Sequence, residues 1–212
     1  IFLKSLPTLV CIFRDALKNI DLGFDNVVRM DANIPPDWLS QEQLAINQSD
    51  INPPKMTAIL ATHKYYDIER KESSIPIGLD MQLNESEGTN KLFAMAGHLI
   101  DSLENGKIFL IDELDARLHP LMTREIISLF NSNETNPNKG QLIFTTHDTN
   151  LLSNKFFRRD QVWFTEKDKY GVTHLYSLAE YKVRNDASFE SDYIQGRYGA
   201  VPFIGDLSHL IG

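Results

Sequence analysis

Apolar residues recur at helical spacing over residues 1–20, where Leu3, Leu6, Val10, Phe13 and Leu17 share one face and Gly23 offers a stop. The run "NVVRM" reads as a strand, and residues 34–55, rich in Pro, Asn, Ser and Gln without a sustained period, read as a long loop. "MTAILATHK" and "SIPIGLDMQL" follow. The second alternates, with Ile75, Ile77, Leu79, Met81 and Leu83 on one face, and the two predict a β-hairpin across "YYDIERKES".

From residue 84 the pattern changes. A helix is predicted from about Thr89 to Leu103, with Leu92, Ala96, Leu99 and Leu103 on one side. A strand over 107–111, a helix over about 120–130 and a strand over 141–146 come next. Strands that alternate with helices and are apolar on both faces predict a parallel sheet covered on each side. "VWFTEKDKYGVTHLYSL" predicts a second hairpin with Gly171 near its turn, followed by a polar tail containing "IQGRYGAVPFIG". The chain contains no internal repeat.

Composition narrows this picture in a few respects. With 42% hydrophobic and 24% charged residues in 212, the chain is that of a globular protein with a sizeable core. A net charge of −8 argues against a surface broadly adapted to nucleic acid, which requires clustered Lys and Arg. The single cysteine, Cys11 in "LVCIF", excludes an internal disulfide and a Cys-rich zinc site, and reads as an inert buried thiol. No apolar stretch reaches the ~18 residues of a membrane span, so a cytoplasmic location is expected.

The candidate chemistry centres on "KIFLIDELDARLHP", where Asp112 and Glu113 directly follow a buried strand. Charges left unpaired there are costly. Open α/β sheets bind ligands at the C-terminal edge of their strands, and an apolar strand ending in Asp is how P-loop NTPases hold Mg²⁺. Asp112 would then face a metal, and Glu113 would take a proton from an attacking water. Read alone, the pair is equally an acidic turn. "QLIFTTHDTNLL" repeats the layout, so His147 could reach the same edge and hydrogen-bond a terminal phosphate; a structural histidine is the plain alternative. Upstream, "NESEGTNKLF" sets Ser86 and Gly88 at a helix start, whose free amides favour an anion, with an ordinary helix cap as the other reading. Arg197 in "GRYG" reads more readily as the partner of a nearby acid than as an anion ligand.

The order Ser-x-Gly at a helix start, apolar strand-Asp-Glu, then apolar strand-His resembles the ABC-type ATPases, whose signature motif, Walker B strand and switch histidine occur in that order. "DELDARLHP" resembles the soluble RecF, SMC and OLD-type branch. More closely, "SEGTNKLFAMAGHLIDSLENGKIFLIDELDARLHPLMTREIISLF", "QLIFTTHDTNLL", "RRDQVWFTEK" and "QGRYGAVPF" are similar to prokaryotic AAA-type ATPase/GTPases, over about residues 56–205. The resemblance implies an α/β fold: an ABC-ATPase-like P-loop NTPase lobe with a mainly parallel sheet flanked by helices, plus a β-hairpin and an N-terminal helical segment. Residues 1–55 would be part of an insertion or arm, and 56–212 the C-terminal lobe. It implies ATP and Mg²⁺ as cofactors and a homodimer that sandwiches nucleotide. Ser86 and Gly88 would contact the γ-phosphate bound to the partner subunit, Asp112 would support Mg²⁺, Glu113 would be the general base and His147 the switch. Leu114–His119 would cross the dimer interface, with Asp115 and His119 as polar contacts; transporters carry an aspartate where His119 stands, and His119-Pro120 also reads as a plain helix start. Some relatives are associated with antiphage defence or abortive infection.

No G-x-x-x-x-G-K-[ST] loop occurs in the 212 residues. That loop holds the β- and γ-phosphates. With the initial Ile1, its absence gives the expectation that this is the C-terminal portion of a longer ATPase, barely active alone. Two other functions remain open. One is a non-catalytic lobe that binds an effector protein, favoured if the full-length protein also lacks the loop. The other is a RecF- or SMC-like DNA-associated ATPase, which a salt-dependent DNA shift would support and the net charge does not.

Overall fold

The computed structural model describes residues 24–33, 55–73, 75–182 and 188–201. The helix expected over residues 1–20, Cys11 and nearly all of the loop expected over 34–55 lie outside the described residues. The chain divides into two compact units, Ile1–Phe144 and Thr145–Gly212.

In the first unit, β1 (Asn26–Asn33), β2 (Lys55–His63) and β3 (Ile77–Asp80) form an antiparallel sheet in that order, with Val27 opposite Ala61 and Ala61 opposite Leu79. The predicted hairpin is present, but its second strand is shorter than the alternation suggested. At Asp80 the carboxylate accepts from the amides of Gln82 and Leu83, at 2.9 and 3.0 Å, and starts a single helical turn, α1 (Met81–Asn84). The change of period turns Met81 into the core and leaves Leu83 exposed, so the two do not share a face. Val27, Ala61 and Met81 form a core cluster against which Phe24, Ile59 and Phe93 pack.

Helix α2 (Glu87–Asn105) supplies Phe93 to that cluster and buries Leu92, Met95, Ala96, Leu99, Ile100 and Leu103. The face predicted from spacing is the buried one, at the i, i+3, i+4 positions that line one side of a helix. Gly106 ends it in the left-handed conformation, φ 63°, with its Cα so close to the Asn138 carbonyl that a Cβ would lie 2.4 Å from that oxygen. Strand β4 (Ile108–Ile111) then pairs in parallel with β5 (Gln141–Phe144), Ile111 opposite Phe144, through the crossover helix α3 (Pro120–Asn131). The loop before β5 is pinned by buried Asn136, whose amide donates to the carbonyls of Phe130 and Gly140 and accepts from the Gly140 amide.

Two features of the predicted sheet need correction. Among the described residues the parallel sheet is the single pair β4–β5, and the other two sheets are antiparallel, so the described strands are mixed rather than mainly parallel. Nor is the parallel pair covered on each side, because Ile108, Leu110 and Ile143 are exposed. Apolar residues on both faces of a short strand require two covering layers, yet the described residues bury only one face.

The second unit holds the predicted hairpin, β6 (Trp163–Lys167) and β7 (Thr173–Ser177), turning near Gly171 at φ 82°. The tail folds back on it. Phe164, Leu178, Phe189 from α4 (Phe189–Ile194) and Tyr198 form its core. Phe164 stacks on Tyr193 at 5.5 Å, and the Tyr176 hydroxyl donates to the Tyr198 carbonyl at 2.8 Å. Burial pushes the Tyr176 and Tyr198 hydroxyls up, Tyr198 to about 12. Among the described residues no helix is long and apolar enough to cross a membrane.

Candidate active site

The candidate residues of the first unit come from two segments, the start of α2 and the loop between β4 and α3. Ser86 is the N-cap of α2: its Oγ accepts from the Thr89 amide at 3.1 Å and shares a hydrogen bond with the Thr89 hydroxyl at 2.8 Å. The lead-in is held by a 2.6 Å hydrogen bond between His63 Nε2 and the carboxylate of Glu85. Ser86 is therefore at a helix start, as its sequence context predicts.

The loop leaves β4 at the C-terminal edge of the parallel pair, and Asp112 and Glu113 follow at once, both exposed. Glu113 has φ 49° and Arg117 φ 64°, left-handed conformations uncommon for residues with a Cβ. Two successive turns build the loop, with Ala116 N–H donating to the Glu113 carbonyl at 3.1 Å and Leu118 N–H to the Asp115 carbonyl at 3.0 Å. Leu114 is wholly buried and Leu118 nearly so, and these two side chains anchor the loop in the core. Strained backbone at one residue persists when its surroundings over-determine it, and such residues concentrate at functional sites.

The two segments are in direct contact. Lys91, one turn into α2, donates to the carbonyls of Glu113 at 2.7 Å, Leu114 at 3.2 Å and Ala116 at 2.9 Å. An ammonium has three donors and no acceptor, so this set of carbonyls matches its charged form. Burial pulls the Lys91 pKa below the ordinary lysine value, while the charges of Asp115 and Glu113 oppose that shift. Arg117 Nε lies 3.3 Å from the Glu87 carboxylate, an exposed pair of small energetic weight.

Gly88 is expected from the sequence to admit an anion; the close approach present here is to protein. A Cβ on Gly88 would lie 2.5 Å from the Arg117 carbonyl oxygen. Replacing Gly88 with Val should therefore force the helix start and the loop apart at a cost of about 1–3 kcal/mol, the usual range for overpacking. Urea unfolding with an unshifted midpoint would show that this contact is absent in solution.

His119 is the N-cap of α3, its Nδ1 accepting from the Leu121 amide at 3.2 Å, with Pro120 in the first turn. That acceptor role places the ring proton on Nε2. Asp115 is half-buried, and its Oδ1 has no hydrogen-bond partner. Within the first unit, then, Ser86, Gly88, Asp112, Glu113, Asp115 and His119 belong to one connected region. His147 lies three residues past the end of β5 and belongs to the second unit. There it is exposed in a tightly bonded turn, where the Asp148 amide donates to Thr146 Oγ1 at 2.9 Å and Asp148 Oδ1 accepts from the Asn150 amide at 3.0 Å. Arg197 pairs with Asp192 at 2.6 Å, the acid-partner reading favoured by its sequence context.

Among the described residues no three or more His, Cys, Asp or Glu side chains gather to enclose a metal. Mg²⁺ in nucleotide sites is held by one or two carboxylates together with phosphates and water. An exposed carboxylate at a strand end is compatible with that pattern, and Asp112 is one.

A family model described as "AAA domain, putative AbiEii toxin, Type IV TA system" matches residues 12–153, a span that contains Ser86, Asp112, Glu113 and His147. The chain belongs to this family, and so to the AAA-type P-loop ATPase domains with an α/β fold. A search of curated proteins found no match.

The residues that spacing does not reveal are Lys91, Leu114 and Arg117. Lys91 lies 22–25 positions from the carbonyls it binds, and no local pattern encodes that contact.

Proposed function

We propose that the intact protein is a Mg²⁺-dependent ATPase of ABC-type architecture, in the RecF, SMC and OLD-like branch, that hydrolyses ATP between two subunits. The observation that carries this reading is the loop after β4. Glu113, at the end of a parallel strand and in a left-handed conformation, is held by Lys91 against the helix start that Ser86 caps.

In this reading Ser86 and the first amides of α2 meet the γ-phosphate of nucleotide held by the partner subunit. Asp112 would hold Mg²⁺, which when bound would supply positive charge against the phosphates. The Glu113 carboxylate accepts a proton from water as the water oxygen bonds to the γ-phosphorus. The bond from that phosphorus to the β–γ bridging oxygen breaks, and ADP leaves. His147 hydrogen-bonds the terminal phosphate, and Asp115 with the Nε2–H of His119 makes contacts across the interface. The exposed apolar residues Ile108, Leu110 and Ile143 support a further layer packed on this face of the sheet in the intact protein. The type IV toxin–antitoxin wording of the family supports a role in abortive infection or antiphage defence, with an effector protein reading the dimer's closure.

Because γ-phosphate contacts stabilise the closed dimer and hydrolysis removes them, association should follow nucleotide state. Sedimentation of the full-length protein with Mg²⁺ should show dimer with ATP and monomer with ADP. Ser86→Ala should lose the ATP-induced dimer while costing folding stability only about 1 kcal/mol, as loss of an N-cap does. Monomer under both nucleotides with hydrolysis intact would overturn the sandwich arrangement.

A further inference from the structure

The contact between Lys91 and the Glu113–Ala116 loop has no role in the reaction outlined above. It also has an unusual form for a lysine. The side chain runs from the second turn of α2 to three backbone carbonyls of one loop, at 2.7, 3.2 and 2.9 Å, and forms no ion pair among the described residues. A lysine that only solvates a helix surface keeps its ammonium in water; this one is drawn in far enough for burial to lower its pKa. Its acceptors include the carbonyl of the left-handed residue Glu113 itself.

We propose that Lys91 is a positioning residue for hydrolysis: by bridging the carbonyls of Glu113, Leu114 and Ala116 it fixes the turn from which the Glu113 carboxylate projects, and ties that turn to the helix start carrying Ser86. This rests on the ATPase reading of the site. Three bonds from one cation restrain the peptide plane that follows Glu113 and the planes that follow Leu114 and Ala116, and the first of these holds the backbone from which the Glu113 side chain projects. A left-handed, non-glycine residue has a ready escape to the more populated regions of backbone space. Lys91 and the burial of Leu114 close that escape. The same bridge, with the contact of Gly88 on the Arg117 carbonyl, makes the helix start and the loop one body. A γ-phosphate contact at Ser86 would therefore be felt at the turn that bears Glu113.

The test uses the full-length protein and steady-state turnover of Mg²⁺-ATP. Lys91→Met keeps the stem and removes the donors. It should lower kcat roughly ten- to hundredfold, the scale of a displaced catalytic group. KM for ATP should stay within about threefold, since binding groups are untouched. Lys91→Arg, which can bridge several carbonyls, should restore most of kcat. In the Glu113→Gln background Lys91→Met should reduce the residual single-turnover rate no further, because a residue that acts through Glu113 has nothing left to position. Wild-type kcat in Lys91→Met, or an equal proportional loss in both backgrounds, would overturn the proposal while leaving the ATPase reading intact. Full turnover in Glu113→Gln alone would instead remove the general-base role of Glu113 on which it rests, and no ATP turnover in the wild-type full-length protein would remove the ATPase reading itself. Should Lys91→Met not fold, Lys91→Ala, which also lacks the donors and suits a helix, replaces it under the same criteria.

Discussion

Glu113→Gln in the full-length protein should lower ATP turnover by about 10²–10⁴-fold, the contribution of a positioned general base. The variant should also persist as an ATP-bound dimer. Gln has nearly the shape of Glu, and the substitution keeps the Glu113 carbonyl that accepts from Lys91 and from the Ala116 amide. The substitution should therefore leave the local fold in place and remove only the proton acceptor. Two readouts belong together: phosphate release for turnover, and nucleotide recovered with the protein after gel filtration for trapping. Wild-type phosphate release would remove Glu113 from the chemistry. Loss of both release and binding would indicate damage to the site rather than to the base.

Leu114→Ala should be the most destabilising single change in the loop, costing about 2–5 kcal/mol, the range for deleting a buried leucine side chain. Leu114 is fully buried, between the exposed, left-handed Glu113 and the half-buried Asp115. No other residue of the loop is buried so completely, so the cavity has little with which to refill. A lowered denaturation midpoint with unchanged slope would report this loss. A change below about 0.5 kcal/mol, the size of an ordinary surface substitution, would mean that the leucine is not seated as described. Because Glu113 is its neighbour, turnover should fall as well, and beyond what the unfolded fraction explains.

Elements set by local interactions were legible in the sequence, and those set by distant contacts were not. Helix α2 was legible because Leu92, Ala96, Leu99 and Leu103 fall on one face by spacing alone. Its cap was legible because Ser86 precedes it. The β6–β7 hairpin was marked by Gly171, which takes the left-handed conformation that its turn requires. The strand expected through Leu83 failed at Asp80, whose side chain caps a helical turn and outweighs a favourable alternation. Alternation reports which face is apolar; it does not report that the next residues are better bonded in another conformation.

The candidate site shows the same division. The sequence by itself determined the chemistry present, a carboxylate pair behind an apolar strand, a serine and glycine at a helix start and a histidine behind a second apolar strand, because these depend on residue type and local spacing. Only the tertiary structure decided that Lys91 grips the carbonyls of Glu113, Leu114 and Ala116, that Gly88 packs on Arg117, and that one face of the parallel pair stands uncovered. Those outcomes depend on backbone groups, which every residue carries alike, and on segments that meet only when the core closes. No pattern of side chains along the chain can announce them.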